Sequence, residues 1–149
     1  MTDDATDNAG VAVPPPLVYA LGFGIGYGLD RLKPVPLGLG WVLAAAGVAL
    51  AASAIALFRR AGTSPVPIQP TTALVVQGPY RFTRNPMYVG LAALYAGVTL
   101  LVDSLWPLLL LPVVLVVIRW RVITREEAYL ERKFGDAYRA YTTRVRRWL

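Results

Sequence analysis

The chain of 149 residues is 56% hydrophobic and 16% charged, with a net charge of +6 and a mean hydropathy of +0.49. It is too apolar for an ordinary soluble domain of this length and too aromatic for a disordered one, which predicts a one-domain membrane protein. The absence of cysteine excludes disulfides, thiolate nucleophiles and lipidation of the chain itself, and the absence of histidine leaves carboxylates, tyrosines or water as proton acceptors. The basic residues flank apolar segments, which indicates lipid headgroups rather than nucleic acid as their partners.

In chain order, the sequence predicts a polar tail, four apolar helices and an amphipathic end. Residues 1–12 contain three aspartates and no basic residue, so we expect a disordered tail rather than a cleaved secretory signal, followed by one domain over residues 13–149. The apolar runs cover approximately Leu17–Leu29, Leu37–Phe58, Met87–Val102 and Leu105–Ile123. The expected fold is all-α and polytopic, with about four transmembrane helices.

Glycines recur at every second position of the first apolar run, at Gly22, Gly24, Gly26 and Gly28. A dinucleotide-binding fingerprint has similar spacing but needs a strand before it, and none is predicted here. Small residues four positions apart, as in Gly22/Gly26, allow two membrane helices to approach closely. We therefore expect this helix to pack on another one, either in the same chain or in a homodimer.

The segment Gly78–Tyr88, hereafter the motif loop, combines a rigid turn with two arginines and two tyrosines before the third run. Its prolines restrict the backbone, and Pro86 suits the first turn of a helix. Arg81 and Arg84 would then lie near a helix N-terminus, where a carboxylate or phosphate is favoured. The alternative is that both arginines only extend to the membrane interface.

An acidic pair, Glu126-Glu127, follows the fourth run. Helical ion-pair partners lie three or four residues away, and none of those positions is basic. The partners must therefore come from elsewhere, with Arg81, Arg84 or a cationic or hydroxyl-rich ligand as candidates. The alternative is two solvated acids at a helix end.

The C-terminal segment predicts an amphipathic helix in the headgroup zone or against the protein's own loops. Gly135 is expected to interrupt it. Its apolar stripe consists of Leu130, Phe134, Tyr138, Tyr141, Val145 and Trp148. With four crossings, 13 of the 15 basic residues share one side with both termini, the motif loop and the acidic pair. The positive-inside rule makes that side cytoplasmic, in what we expect to be a bacterial inner membrane.

Three ordered segments resemble the isoprenylcysteine carboxyl methyltransferase family and its phospholipid N-methyltransferase relatives. They are Gly78–Arg81 continuing into Arg84–Gly90, then Glu126-Glu127, then Phe134–Tyr141. The family pattern has histidine where this chain has Asn85. Asparagine cannot take a proton at neutral pH, so a role as base is lost at this position while contact with a cofactor is retained.

The resemblance implies an integral-membrane enzyme that transfers methyl from S-adenosylmethionine to a lipophilic acceptor such as an isoprenylcysteine-type carboxylate. It implies no metal. The implied cofactor-binding residues are Gln77, Gly78, Pro79, Tyr80, Asn85, Pro86, Tyr88, Glu126 and Glu127. The candidate catalytic residues are Arg84, Tyr88 and Glu127. The candidate acceptor-binding residues are Arg81, Tyr138 and Arg139.

Other functions stay open at this point. A phosphatidylethanolamine-type N-methyltransferase would have to deprotonate its amine acceptor, with Glu127 or water as the base. A non-catalytic membrane scaffold would explain the glycines and the basic tail but not the co-occurrence of three motifs. A membrane reductase that uses a nicotinamide cofactor shares the overall layout. The sequence does not identify the acceptor.

Overall fold

The computed structural model describes residues 14–29, 37–66 and 69–149, and the regular elements in these ranges are all helical. The all-α class is therefore confirmed for the described part of the chain. The elements are α1 (Pro15–Leu29), α2 (Leu37–Arg60), a 3₁₀ turn (Gly78–Arg81), α3 (Pro86–Leu101), α4 (Trp106–Ile118), a π-helical turn (Arg119–Ile123), α5 (Thr124–Phe134) and α6 (Asp136–Thr142). The predicted disordered tail, residues 1–12, lies outside the described residues.

Two antiparallel helix pairs, α1 with α4 and α2 with α3, form the bundle. Along α1, Gly22 lies against Val114 and Gly26 against Pro107, so the Gly22/Gly26 spacing serves contact with α4 within this chain. Gly24 has open space around it. The expectation of close helix packing is thus confirmed for this face, and a homodimer stays a prediction.

The α2–α3 contact depends on glycines that sequence reasoning did not single out for packing. Gly47 on α2 and Gly90 on α3 lie so close that a Cβ on either would meet the backbone carbonyl of the other at 2.5–2.7 Å. Near the other end of α3, a Cβ on Gly97 would collide with the backbone of Ala44. The two backbones therefore touch along most of α3, and this contact fixes the position of the helix that carries Tyr88.

These contacts bring the start of α1, the end of α2, the start of α3 and the end of α4 to one end of the bundle. The hydroxyl of Tyr19 on α1 donates a 3.0 Å hydrogen bond to the carbonyl of Tyr88, which joins the starts of α1 and α3. The same end therefore carries the motif loop and the acidic pair, although Tyr88 and Glu126 are 38 positions apart in sequence.

Within the described ranges, two helices are long and apolar enough to cross a membrane, namely Gly38–Arg60 and the continuous helix Trp106–Phe134. In the second, the charged residues of α5 lie beyond the apolar part, which ends at Ile123. The other two predicted spans, α1 and α3, have 15 and 16 residues, fewer than the ~20 of a perpendicular crossing. Four crossings stay a prediction.

Exposed aromatic side chains mark both ends of the bundle. Trp41 and Trp106 lie at the starts of α2 and α4, whereas Trp120 and Phe82 lie at the end that carries the motif loop. Exposed tryptophans at two levels are typical of the two interfaces of a membrane.

The C-terminal segment differs from its prediction. The break at Gly135 is confirmed, because its backbone has φ 51° and ends α5. The prediction of one helical stripe from Leu130 to Trp148 was wrong, because α5 ends at Phe134 and the separate helix α6 ends at Thr142. Val145 and Trp148 follow without helix, yet both still pack inward, Val145 with Tyr141 and Trp148 against the main core.

Candidate functional site

A cavity of about 80 Å³ lies at the end of the bundle where the motif loop and the acidic pair meet. Its walls come from the motif loop, α5, α6 and the segments 64–66 and 71–75. Seven of the predicted site residues line it: Tyr80, Arg84, Asn85, Tyr88, Glu126, Glu127 and Tyr138. The structure thus brings three distant sequence motifs to one space.

The other predicted site residues do not line this cavity: Gln77, Gly78, Pro79, Arg81, Pro86 and Arg139. Gln77 and Arg81 are exposed, and buried Pro86 begins α3. Arg139 is exposed on α6, where it pairs with Asp136 at 2.7 Å and with Glu131 at 3.4 Å. Its contacts are therefore with neighbouring surface acids.

The 3₁₀ turn of the motif loop directs Tyr80 inward. Gly78 permits the turn with φ 57°, and a Cβ there would also meet Leu57 at 2.8 Å. The Tyr80 ring packs against Phe58, with ring centroids 5.5 Å apart, and the Tyr141 hydroxyl donates a 2.7 Å hydrogen bond to the Tyr80 carbonyl. The Tyr80 hydroxyl itself is buried and finds no hydrogen-bond partner among the described residues.

Glu126 faces the first turn of α3. The Tyr88 hydroxyl donates a 2.8 Å hydrogen bond to its Oε1, and no cation of the described ranges lies within salt-bridge distance of it. Burial, and to a smaller extent the neighbouring Glu127, raises the pKa of Glu126 to about 7, although the bond from Tyr88 opposes the rise. This carboxyl therefore changes charge near neutral pH.

Glu127 points to a different set of partners. Arg147 donates two hydrogen bonds to it, from Nε to Oε1 at 3.0 Å and from Nη2 to Oε2 at 2.6 Å. Arg84 approaches Oε1 at 3.4 Å. Of the two arginines proposed from sequence, only Arg84 reaches the acidic pair. The Nε of Arg84 is buried and has no partner in the part of the chain that the structure describes.

Sequence reasoning missed Arg147. Several arginines follow Thr143, and periodicity gave no reason to prefer this one, because the segment leaves the helix before reaching it. Its partner Glu127 raises the pKa of Arg147, so the guanidinium stays charged.

Asn85 lines the cavity and also binds the last residues of the chain. Its Nδ2 donates a 2.9 Å hydrogen bond to the carbonyl of Arg147, and the Thr83 hydroxyl donates to the same oxygen at 3.1 Å. The backbone N–H of Arg84 donates to the carbonyl of Arg146 at 2.9 Å. The last residues are therefore fastened across the motif loop.

At neutral pH three tyrosines of the cavity, Tyr80, Tyr138 and Tyr141, keep their protons and so do not serve as bases. Burial raises the pKa of Tyr80 and of Tyr138 above their usual range, and it raises the pKa of Tyr141 to about 12. Glu126, with a pKa of about 7, is a cavity carboxyl able to exchange a proton near neutral pH. The described residues contain no group of three or more potential metal ligands.

Comparison with known proteins gives two kinds of match. The family model described as phospholipid methyltransferase matches residues 35–137, from just before α2 into α6. An uncharacterized protein of Haemophilus influenzae is 43% identical over 63 residues, which cover 42% of this chain and 100% of that protein. The protein-S-isoprenylcysteine O-methyltransferase of Schizosaccharomyces pombe is 39% identical over 72 residues, which cover 48% of this chain and 30% of that enzyme.

Proposed function

Because the chain belongs to the phospholipid methyltransferase family, we propose that it transfers methyl from S-adenosylmethionine to a lipophilic acceptor at one face of the membrane. The acceptor that we propose first is a carboxylate of the isoprenylcysteine type. The alternative is the amine of a phosphatidylethanolamine-type phospholipid, which the description of the family favours. The concentration of basic residues at the site end supports a cytoplasmic site, with both termini on that side of a bacterial inner membrane.

The observation that carries the proposal is the pairing of Tyr88 with Glu126 at a cavity that Arg84 also lines. S-adenosylmethionine carries an ammonium and a sulfonium together with a carboxylate. Glu126 and the tyrosine faces suit the cationic groups. Two donors of the cavity are buried without a partner among the described residues, Arg84 Nε and Tyr80 Oη. They suit a carboxylate or hydroxyl oxygen, because buried polar groups normally have a partner.

The bound cofactor would supply a methyl group on a positively charged sulfur, and the protein would contribute position and charge. Arg84 would hold a carboxylate, and Glu126 would hold a cation. A carboxylate acceptor needs no base. For an amine acceptor, Glu126 would serve as the base if the tyrosine faces alone held the cofactor's cation, because its pKa of about 7 in the ligand-free protein suits that task. Glu127, the base considered from sequence, suits it less because two guanidiniums bind its oxygens.

The cavity is too small, in the shape that the structure shows, to enclose the whole cofactor. Pockets that enclose small-molecule ligands usually measure ~300–1,000 Å³, whereas this one measures about 80 Å³. Binding of the whole cofactor therefore requires one wall to move outward. The wall built by residues 64–66 and 71–75 has no regular structure, and it is the one that we expect to move.

Calorimetry on the purified protein in detergent tests the proposal. We expect S-adenosylmethionine to bind the native protein, Glu126→Gln to lose most of the affinity, and Glu131→Gln to keep it, since Glu131 lies on α5 outside the cavity lining. A native protein that does not bind would sink the enzyme proposal. Radiolabelled methyl transfer into lipid extracts would then separate the acceptors, because a methyl ester is released by mild base and an N-methyl group is not.

A further inference from the structure

The last four residues, Arg146 to Leu149, form what we call the C-terminal strap, which crosses the motif loop. Three hydrogen bonds hold its backbone there, from Arg84 N–H to the Arg146 carbonyl and from the side chains of Thr83 and Asn85 to the Arg147 carbonyl. Beyond them, Trp148 packs against the main hydrophobic core. The strap is thus fixed on both sides of Arg147.

Between those anchors, the Arg147 guanidinium binds both oxygens of Glu127, which lines the cavity. A planar guanidinium that binds a carboxylate through two parallel hydrogen bonds fixes its orientation as well as its charge. The side chain of Glu127 is only 16% exposed, so water contributes little to holding it. For Glu126, next to it, the part of the chain that the structure describes supplies one side-chain hydrogen bond, from Tyr88.

We infer that Arg147 is a positioning residue of the site, which acts through Glu127, and that Asn85 serves by fastening the strap that carries Arg147. The inference rests on the proposed function. Because Arg147 occupies both oxygens of Glu127, the adjacent Glu126 is left to receive the cationic cofactor. If Arg147 were absent, Glu127 would keep the longer 3.4 Å contact with Arg84 but lose its two hydrogen bonds. It could then turn toward the same cation, and the cofactor would be held in more than one orientation.

The role of Asn85 follows from the direction of its hydrogen bond. Its amide donates to a backbone carbonyl, so this contact requires an N–H at position 85 and not a base. Histidine also carries an N–H, which is why Asn85→His can keep the strap in place. Asn85→Asp is nearly the same size but sets a carboxylate against a carbonyl oxygen, and two acceptors repel each other.

A double-mutant cycle on the full-length protein tests the inference, with the affinity for S-adenosylmethionine measured by calorimetry and folding checked by thermal unfolding. We expect Arg147→Gln to weaken binding about tenfold or more, whereas Arg144→Gln removes a nearby exposed guanidinium and should change nothing. If Arg147 acts through Glu127, the double variant with Glu127→Gln binds no worse than Glu127→Gln alone. Additive losses would overturn the inference.

Two further variants keep the test decisive if Arg147→Gln folds poorly. Arg147→Lys retains the charge and loses the pair of parallel hydrogen bonds to Glu127, so its affinity for S-adenosylmethionine should lie between those of the native protein and Arg147→Gln. An affinity equal to that of the native protein would overturn the role of these paired hydrogen bonds. Asn85→His should bind better than Asn85→Asp, and the reverse order would overturn the role of Asn85. A native protein without affinity would overturn the proposed function itself, and this inference with it.

Discussion

Tyr88 and Glu126 are joined by a 2.8 Å hydrogen bond between the first turn of α3 and the first turn of α5. The bond links two motifs that are 38 positions apart in sequence. Within the described residues, Tyr88 is the side chain that hydrogen-bonds the Glu126 carboxyl. A half-buried carboxyl with one neutral partner has little to stabilise its charge. A cationic ligand would supply what the protein does not.

Removal of the Tyr88 hydroxyl should weaken cofactor binding without disturbing α3. In Tyr88→Phe the carboxylate of Glu126 loses its donor, and a hydrogen bond to a charged group contributes about 1.5–3 kcal/mol. We expect the affinity for S-adenosylmethionine to fall about tenfold in calorimetry. Tyr95→Phe is the matched control, because Tyr95 lies on the same helix as Tyr88 but away from the cavity. Its hydroxyl donates a 2.7 Å hydrogen bond to the Pro107 carbonyl of α4. Equal losses in both variants would contradict a specific role for Tyr88.

The affinity for the cofactor should depend on pH through Glu126. Its carboxyl has a pKa of about 7, so a cation that needs the ionised form must displace a proton at lower pH. We expect the affinity to fall about tenfold for each pH unit below about 6 and to level off above about 8. Titrations between these values measure the slope. Glu126→Gln should bind weakly at every pH with no slope, and a slope that persists in it would assign the proton to another group.

The two neighbouring glutamates should differ in their effect on stability. Glu127 is held between two guanidiniums that are 15% and 31% exposed, so Glu127→Gln leaves them facing each other without a counter-charge. A fully buried pair would cost ~3–5 kcal/mol when broken, and we expect about 1–3 kcal/mol for this partly exposed one.

Glu126→Gln should cost less than Glu127→Gln above neutral pH. The pKa of Glu126 is higher in the folded protein than its ordinary value of 4.5. The folded protein therefore binds this proton more tightly, and stability is lost as the pH rises from about 4.5 through about 7. At pH 8 Glu126 is ionised in the native protein, which therefore bears the full free-energy cost of burying this charge, and Glu126→Gln removes that cost. Thermal unfolding in detergent compares the two variants, and a larger loss in Glu126→Gln would contradict this account.

Local patterns were enough to predict several elements but not the contacts between them. The apolar run Met87–Val102 predicted α3 to within one residue at each end, because hydropathy and a proline determine where that helix begins. The motifs predicted which segments contribute Tyr88, Glu126 and Arg84. Arg147 could not be predicted, since it reaches Glu127 only because non-helical residues cross the motif loop, and no periodicity describes such a segment.

The π-helical turn was also beyond a sequence pattern. The segment Arg119–Ile123 mixes two arginines with apolar residues as an ordinary helix end could, and both Val122 and Ile123 are fully buried. The wider turn is visible only in the structure, where the Thr124 hydroxyl donates a 2.8 Å hydrogen bond to the Arg119 carbonyl. It changes the direction in which the following residues point, and a shift of this kind decides which face of α5 carries the acidic pair.

The glycine contact between α2 and α3 leads to a prediction about how the site is held from a distance. In Gly97→Ala, the added methyl would collide with the backbone of Ala44, and because neither backbone can yield locally, the helices must separate. Overpacking of this kind costs about 1–3 kcal/mol, and the shift of α3 would also move Tyr88. We expect a lower unfolding temperature and weaker binding of S-adenosylmethionine. Gly24→Ala is the control, because Gly24 has open space around it and alanine favours helix by about 1 kcal/mol. Equal stability of the two variants would mean that the bundle tolerates separation of α2 and α3, and that their contact does not position Tyr88.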